Sequence, residues 1–182
     1  MTDPATVVAL CGSLRRDSFN RKLLAQAVGI AERQGARVDR VELRELALPL
    51  YDGDLEAEQG LPPGAVELKR RIAGAAGLLI ASPEYNHSIP GMFKNAIDWA
   101  TRGGNPFAGK TAALMGASTG GFGAVRSLQH LRQVLMARGV WIVPALVTVS
   151  NAEHAFDPAG QLKDAALAKQ LDGLVTTLLG RL

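Results

Sequence analysis

Apolar, strand-like runs alternate with amphipathic helical stripes along the whole chain, and that alternation leaves few folds open. "TVVALCG" (6–12) reads as a buried strand. "FNRKLLAQAVGIAERQG" (19–35) sets Leu23, Leu24, Ala27, Val28 and Ala31 on one helical stripe, with Gly35 placed to end it. The pattern repeats: strands at 36–43, 77–83, 110–118 and 140–150, helices at 66–75, 91–102, 123–138 and 162–182. Five strands alternating with helices predict an α/β domain, residues 1–182, with a parallel sheet covered on both faces. Near-continuous apolar strands fit that double burial. Pro144 lies inside the fifth strand, and proline cannot donate to a sheet ladder. An edge position tolerates it, and the fifth strand is an edge in the doubly wound order 2-1-3-4-5.

Composition narrows the function. With 47% apolar residues in 182, the chain has enough material for one packed core. The net charge is +3 with Lys and Arg dispersed, so no basic block points to nucleic acid. A single cysteine, Cys11, excludes an internal disulfide and a Cys-based metal site, and it reads as a buried structural thiol. The histidines at 87, 130 and 154 lack ligand spacing, so no metal is expected. "MTDPATVVALCG" has no charged stretch before an apolar segment, and no apolar run reaches membrane-spanning length. A soluble, cytoplasmic protein is expected, with no membrane partner.

Three loops follow strand ends, where ligands of open α/β sheets bind. "GSLRRDSFNRKL" (12–23) offers Ser13, Ser18, Asn20, Arg15 and Arg16 at a helix N-terminus, the groups a phosphate monoester needs. It reads equally as an ordinary turn capped by Ser18. Only Gly12 of the dinucleotide fingerprint is present, which disfavours a pyrophosphate. "SPEYNHSIPG" (82–91) is stiffened by Pro83 and Pro90 and can present amides and Tyr85 to a flat heterocycle. Pro90 suits the first turn of the next helix. "GASTGGFG" (116–123) lets backbone approach a ligand, or is a flexible turn. "GNPFAGKT" (104–111) matches the P-loop pattern but precedes a strand, so it is rejected. The connection 44–64, with "LPLYDGDLEAEQGLPPG", is too long for a simple turn. FMN has the shape these loops suit: a phosphate, a chain and a flat tricycle.

"GSLRRDSFN" followed by "SPEYNHSIPGMFKNAIDWATR", together with "LPLYDGDLEAEQGLP", closely resembles the NADPH-dependent FMN reductase family, which includes bacterial quinone and chromate reductases. The likeness runs through residues 5 to 150. It implies a flavodoxin-like fold, with FMN held by Ser13, Leu14, Arg15, Ser18, Phe19 and Asn20, by Pro83, Glu84, Tyr85 and Asn86, and by Ser118 and Gly120. It implies NADPH or NADH as co-substrate and a homodimer or homotetramer. No side chain is assigned as catalytic, because the flavin carries the chemistry. The expected activity is hydride transfer from the nicotinamide to the flavin, then reduction of a quinone, flavin, azo or metal-oxyanion acceptor. A flavodoxin-type electron carrier and a flavin-binding regulatory module are the alternatives. Met92, Phe93 and Trp99, following the second loop, are expected to join a pocket that a neighbouring subunit completes.

Overall fold

The computed structural model describes residues 4–182. Its strands are β1 (Thr6–Cys11), β2 (Arg37–Val41), β3 (Gly77–Ala81), β4 (Thr111–Ala117) and β5 (Trp141–Val149). All neighbouring pairs run parallel, in the order β2-β1-β3-β4-β5, so the fold is flavodoxin-like as expected. The helices are α1 (Phe19–Arg33), α2 (Gly53–Gln59), α3 (Pro63–Ala73), α4 (Gly91–Ala100), α5 (Val125–Met136), α6 (Ala152–Ala155) and α7 (Ala165–Leu179).

The two-residue period of the strands sorts the core into two layers. Val7, Ala9 and Cys11 of β1 face the layer that includes Leu23 and Ala27 of α1 and Leu171 and Leu174 of α7. Val8 and Leu10 face the layer with Leu68 of α3, Phe93 and Ile97 of α4 and Leu128 of α5. β3 and β4 are buried along their whole length, and the edges β2 and β5 are only partly so. Pro144 sits on edge strand β5, as its missing N–H requires. The register there slips: Ala112 pairs with Ile142, but Leu114 pairs with Leu146. The proline occupies the bulged stretch, where no ladder donor is needed.

The stretch 44–64 is not one loop. It holds α2, capped by Asp52 Oδ1 accepting from the Asp54 amide at 2.9 Å and ended by Gly60 at φ 74°. α2 buries none of its residues, so it has no apolar stripe to reveal it. The preceding segment is pinned at Pro49, whose carbonyl accepts from Asn95 Nδ2 and Trp99 Nε1, each at 2.8 Å. Trp99 and Phe93 are therefore core residues, 0% and 2% exposed, and neither is free to line a pocket between subunits. Phe93 is in the apolar layer that covers the sheet, whereas Trp99 is covered by the 49–51 segment, its ring edge-on to Tyr51 with centroids 5.0 Å apart. Trp141, by contrast, is 72% exposed at the start of β5.

Lys110, from the rejected P-loop match, directly precedes β4, and no helix follows it. Its Nζ donates to the carbonyls of Ala73 and Ala75 and so closes the end of α3. Pro90 stands at the N-cap of α4, one position before the expected first turn.

Gly116 lies near the end of β4, where loops crowd. A Cβ there would stand 2.7 Å from the Ser82 carbonyl oxygen and 3.0 Å from Ala124 Cβ. Gly116→Ala is expected to destabilise the fold by about 1–3 kcal/mol, the usual size of core overpacking, as read from the urea unfolding midpoint. An unchanged midpoint would show that the backbone moves aside freely.

Candidate functional site

β1, β3 and β4 end on the same edge of the sheet. The chain leaves β1 toward β2 on one side and returns to β3 on the other, so a crevice opens between the loops after β1 and β3. One cleft there is lined by Ser13, Arg15, Ser18, Phe19 and Asn20 from the first loop and helix, by Pro83, Glu84 and Tyr85 from the second loop, and by Ala117, Ser118 and Thr119 from the third. Leu14, Asn86 and Gly120 belong to the same loops without lining it. Ala117 and Thr119 went unnoticed in the sequence, although both flank Ser118. Roomier hollows lie between α1 and α7 and between α4 and α5, but neither is built from strand-end loops.

The first loop starts at Gly12, whose amide donates to the Ala81 carbonyl at 2.8 Å and carries the sheet one residue beyond β1. Its Cβ position is closed by Ser82 Oγ at 3.0 Å and Phe93 at 3.2 Å. Ser13 and Ser18 are 3% and 4% exposed. Ser13 Oγ accepts from the Arg15 amide at 3.4 Å. Ser18 is the N-cap of α1, its Oγ accepting from the Asn20 amide at 3.2 Å. Both hydroxyls thus act as acceptors, and their own protons have no acceptor among the described residues. Two nearly buried O–H donors face one cleft. Arg15 is exposed and forms no ion pair among the described residues, while Arg44 donates to the Leu14 carbonyl at 3.0 Å. Phe19 stacks on Phe156 with ring centroids 5.8 Å apart.

Asn20 was expected to present its amide to a ligand. In the structure its side chain bridges to the end of β4: Nδ2 donates to the Ala117 carbonyl and Oδ1 accepts from the Ala117 amide, both at 2.9 Å. It is a strut between the first and third loops.

The second loop is a tight hairpin. Tyr85 and Ser88 exchange backbone bonds of 3.1 and 3.0 Å, and the two residues between them, Asn86 and His87, have φ of 49° and 63°. Two left-handed residues make the turn that two-residue hairpins favour. Asn tolerates that region well, and His less so. Tyr85, 47% exposed, stands at the rim.

Glu84 fastens this hairpin to α5. The N-cap position of that helix is Ala124, φ 68°, which provides no side-chain cap. Glu84 Oε2 accepts from the amides of Arg126 at 3.0 Å and Ser127 at 3.2 Å. Its Oε1 accepts from Arg126 Nη1 at 3.1 Å. Ser127 Oγ donates to the Pro83 carbonyl at 2.8 Å. Arg126 Nη1 also donates to His87 Nδ1 at 2.9 Å, and the guanidinium lies 4.3 Å from the ring centroid of Phe122. The carboxylate supplies the cap the helix lacks, from the neighbouring loop. The pairing is invisible along the chain, although "GFGAV" without a Ser, Thr or Asp at the helix start was the signal that a cap must come from elsewhere.

Burial works to raise the pKa of Glu84, but the amides of Ser127 and Arg126 and the Arg126 guanidinium outweigh it, so the carboxyl is held below its ordinary 4.5. It is the one carboxylate lining the cleft and is tied up as an anion, leaving no acid–base pair there. Cys11, 7% exposed, has its thiol pushed up to about 11 by burial, so it is an inert core group. Among the described residues no His, Cys, Asp and Glu cluster could hold a metal ion, and no helix is long and apolar enough to cross a membrane.

The depressed pKa makes the Glu84 tie pH-dependent. Its contribution is complete above the ordinary value and is lost as pH falls through the lowered folded-state value. Comparing Glu84→Gln with the unaltered protein, the gap in urea midpoint should therefore be wide at about pH 6 and narrow progressively as the pH is lowered below the ordinary carboxylate value. A gap independent of pH would mean that the carboxylate charge does not hold the loop.

Comparison with known proteins agrees with this geometry. The family described as NADPH-dependent FMN reductase matches residues 5–154. An NAD(P)H-dependent FMN reductase of Pseudomonas aeruginosa is 41% identical over 166 residues, 90% of this chain and 88% of that protein. A quinone reductase of Escherichia coli K12 is 41% identical over 180 residues, 97% and 94% of the two chains. Among solved structures, the flavoenzyme NAD(P)H:(acceptor) oxidoreductase FerB of Paracoccus denitrificans superimposes with a TM-score of 0.84 at 37% identity, covering 97% of this chain and 96% of that one.

Proposed function

Because the chain belongs to the NADPH-dependent FMN reductase family, we propose that the cleft at the β1/β3 crevice holds FMN and that quinones are its acceptors. The activity class itself, NAD(P)H-dependent FMN or quinone reduction, comes with the family. The residues and the acceptor are what this reading adds. Free flavin, azo dyes and metal oxyanions are further acceptors within the same reading.

One observation carries it. Ser13 and Ser18, both nearly buried, line a cleft whose opposite wall is Pro83 to Tyr85, and neither hydroxyl proton has an acceptor among the described residues. Buried donors need acceptors, and a phosphate monoester offers three oxygens. Ser13, Ser18, the amides at the start of α1 and the Arg15 guanidinium hold the phosphate. Leu14 and Phe19 complete that turn, and Asn20 keeps it in place through Ala117. The amides of Glu84 and Asn86 run along the ring edge, Tyr85 stands at the rim with its own amide bonded to Ser88, and Ser118 and Gly120 approach from the third loop. When bound, FMN supplies a ring that takes two electrons and a proton from NAD(P)H and hands reducing equivalents to the acceptor. The protein's part is placement: a stiff hairpin against one side of the ring and an open rim beside Tyr85 where substrate stacks. Homo-oligomeric assembly belongs to the same reading, supported by exposed Phe122, Met136 and Trp141.

The first loop has one glycine where a pyrophosphate crossing wants several, so FMN and not FAD should be released on denaturation. Arg15→Ala should weaken FMN binding by about 1.5–3 kcal/mol, and Arg16→Ala, absent from the cleft lining, by less. Fluorescence titration of apoprotein with FMN measures both, and equal losses would contradict the assignment.

Donor and acceptor sharing one rim should give parallel reciprocal plots with NADPH and a soluble quinone. Intersecting lines would refute the shared site. An electron carrier of the flavodoxin type would hold FMN yet stay yellow when NADPH is added without oxygen, and the reading here requires it to bleach.

A further inference from the structure

The contacts of Glu84 exceed what a loop anchor needs. It lines the cleft with its side chain 11% exposed, and its hydrogen-bond donors all come from α5: two helix N-terminal amides and the Arg126 guanidinium. A helix N-terminus carries about half a positive charge and an arginine a whole one. Both therefore sit behind the second loop with a single anion between them and the cleft. His87 Nδ1, 3.5 Å from Glu84 Oε1, already accepts from Arg126 and is largely exposed. Arg15, across the cleft, is solvated.

Hydride transfer moves charge. Two electrons and one proton leave the nicotinamide, which departs one unit more positive, and the flavin site becomes one unit more negative. Positive charge behind the ring favours the reduced cofactor, and negative charge favours the oxidised one. We infer that the Glu84–Arg126 pair is a charge balance that sets the relative affinity of the site for reduced and oxidised FMN, an inference that rests on FMN occupying this cleft. Glu84 is a positioning residue in this account: it acts through the field it cancels and through the loop it holds. Unopposed, Arg126 and α5 would hold the reduced cofactor more tightly and slow its onward oxidation. With the anion in place, the site both accepts electrons and gives them up.

A purely structural tie and a charge balance predict different results. Loosening the loop would weaken both redox forms together and leave their ratio unchanged. The balance predicts opposite signs. Glu84→Gln keeps an oxygen acceptor but removes the charge, and should raise the preference for reduced over oxidised FMN by about three- to tenfold, the order for one charge acting across roughly 10 Å of partly solvated protein. Arg126→Gln should lower that preference by a similar factor. Glu84→Asp, which retains the charge, should stay near the unaltered ratio even if both forms bind less tightly.

The ratio is read from the midpoint potential of FMN bound to each purified holoprotein against free FMN, by anaerobic electrochemical titration without nicotinamide. Shifts of the same sign in Glu84→Gln and Arg126→Gln, no shift in either, or a Glu84→Asp shift equal to that of Glu84→Gln overturn the charge balance. Failure of the unaltered protein to bind FMN at all would instead overturn the assignment of the cleft.

Discussion

Two hydrogen bonds between the Asn20 side chain and the Ala117 backbone tie the start of α1 to the end of β4, directly over the point where the sheet reverses its winding. The strut spans strands that are not neighbours, since β3 lies between β1 and β4. It is 3% exposed, where an amide left without its partner is expensive. Its effect is to hold the loop after β1 and the loop after β4 at one spacing before any ligand arrives. Ser18 and Phe19 directly precede Asn20, and Ser118, whose Oγ accepts from the Gly120 amide at 3.2 Å, directly follows Ala117, so both loops are fixed where they meet the cleft.

The opposite wall is set by a second long-range device, the Glu84 tie to α5. Together with Ser127 on the Pro83 carbonyl, it removes the freedom a ten-residue loop would otherwise have. The cleft is thus framed from both sides by side chains already bonded to backbone. Preorganisation of this kind matters for an enzyme whose chemistry resides in a bound ring, because the protein contributes mainly by fixing where that ring lies. It also explains why acid–base machinery is absent from the lining without loss of function: the one carboxylate there is engaged in holding and balancing, not in proton transfer.

Much of this was legible in the chain. The strands announce themselves because double burial makes them apolar throughout, and Pro144 reports the edge because a missing N–H is intolerable elsewhere. Loops after β1, β3 and β4 had to share an edge once the sheet was parallel. What stayed hidden lacks a local signature. α2 buries no residue and so shows no stripe. Asn20 and Ala117 are 97 positions apart, and Glu84 and Arg126 are 42 apart. Such pairs carry no spacing rule, so Asn20 and Glu84 both read as contacts to a ligand and neither as a tie between loops. Trp99 read as part of a pocket between subunits because the carbonyl of Pro49, its partner, lies in a stretch with no periodicity.

The central claim, that nearly buried serine hydroxyls at the sheet's switch point anchor the phosphate of FMN, is open to direct observation. A crystal structure of the protein loaded with FMN should show the phosphate within hydrogen-bond distance of both Ser13 and Ser18 Oγ, with the ring lying along Pro83 to Asn86. Phosphate density elsewhere, as in the hollow between α1 and α7, with the two hydroxyls still facing water, would contradict it.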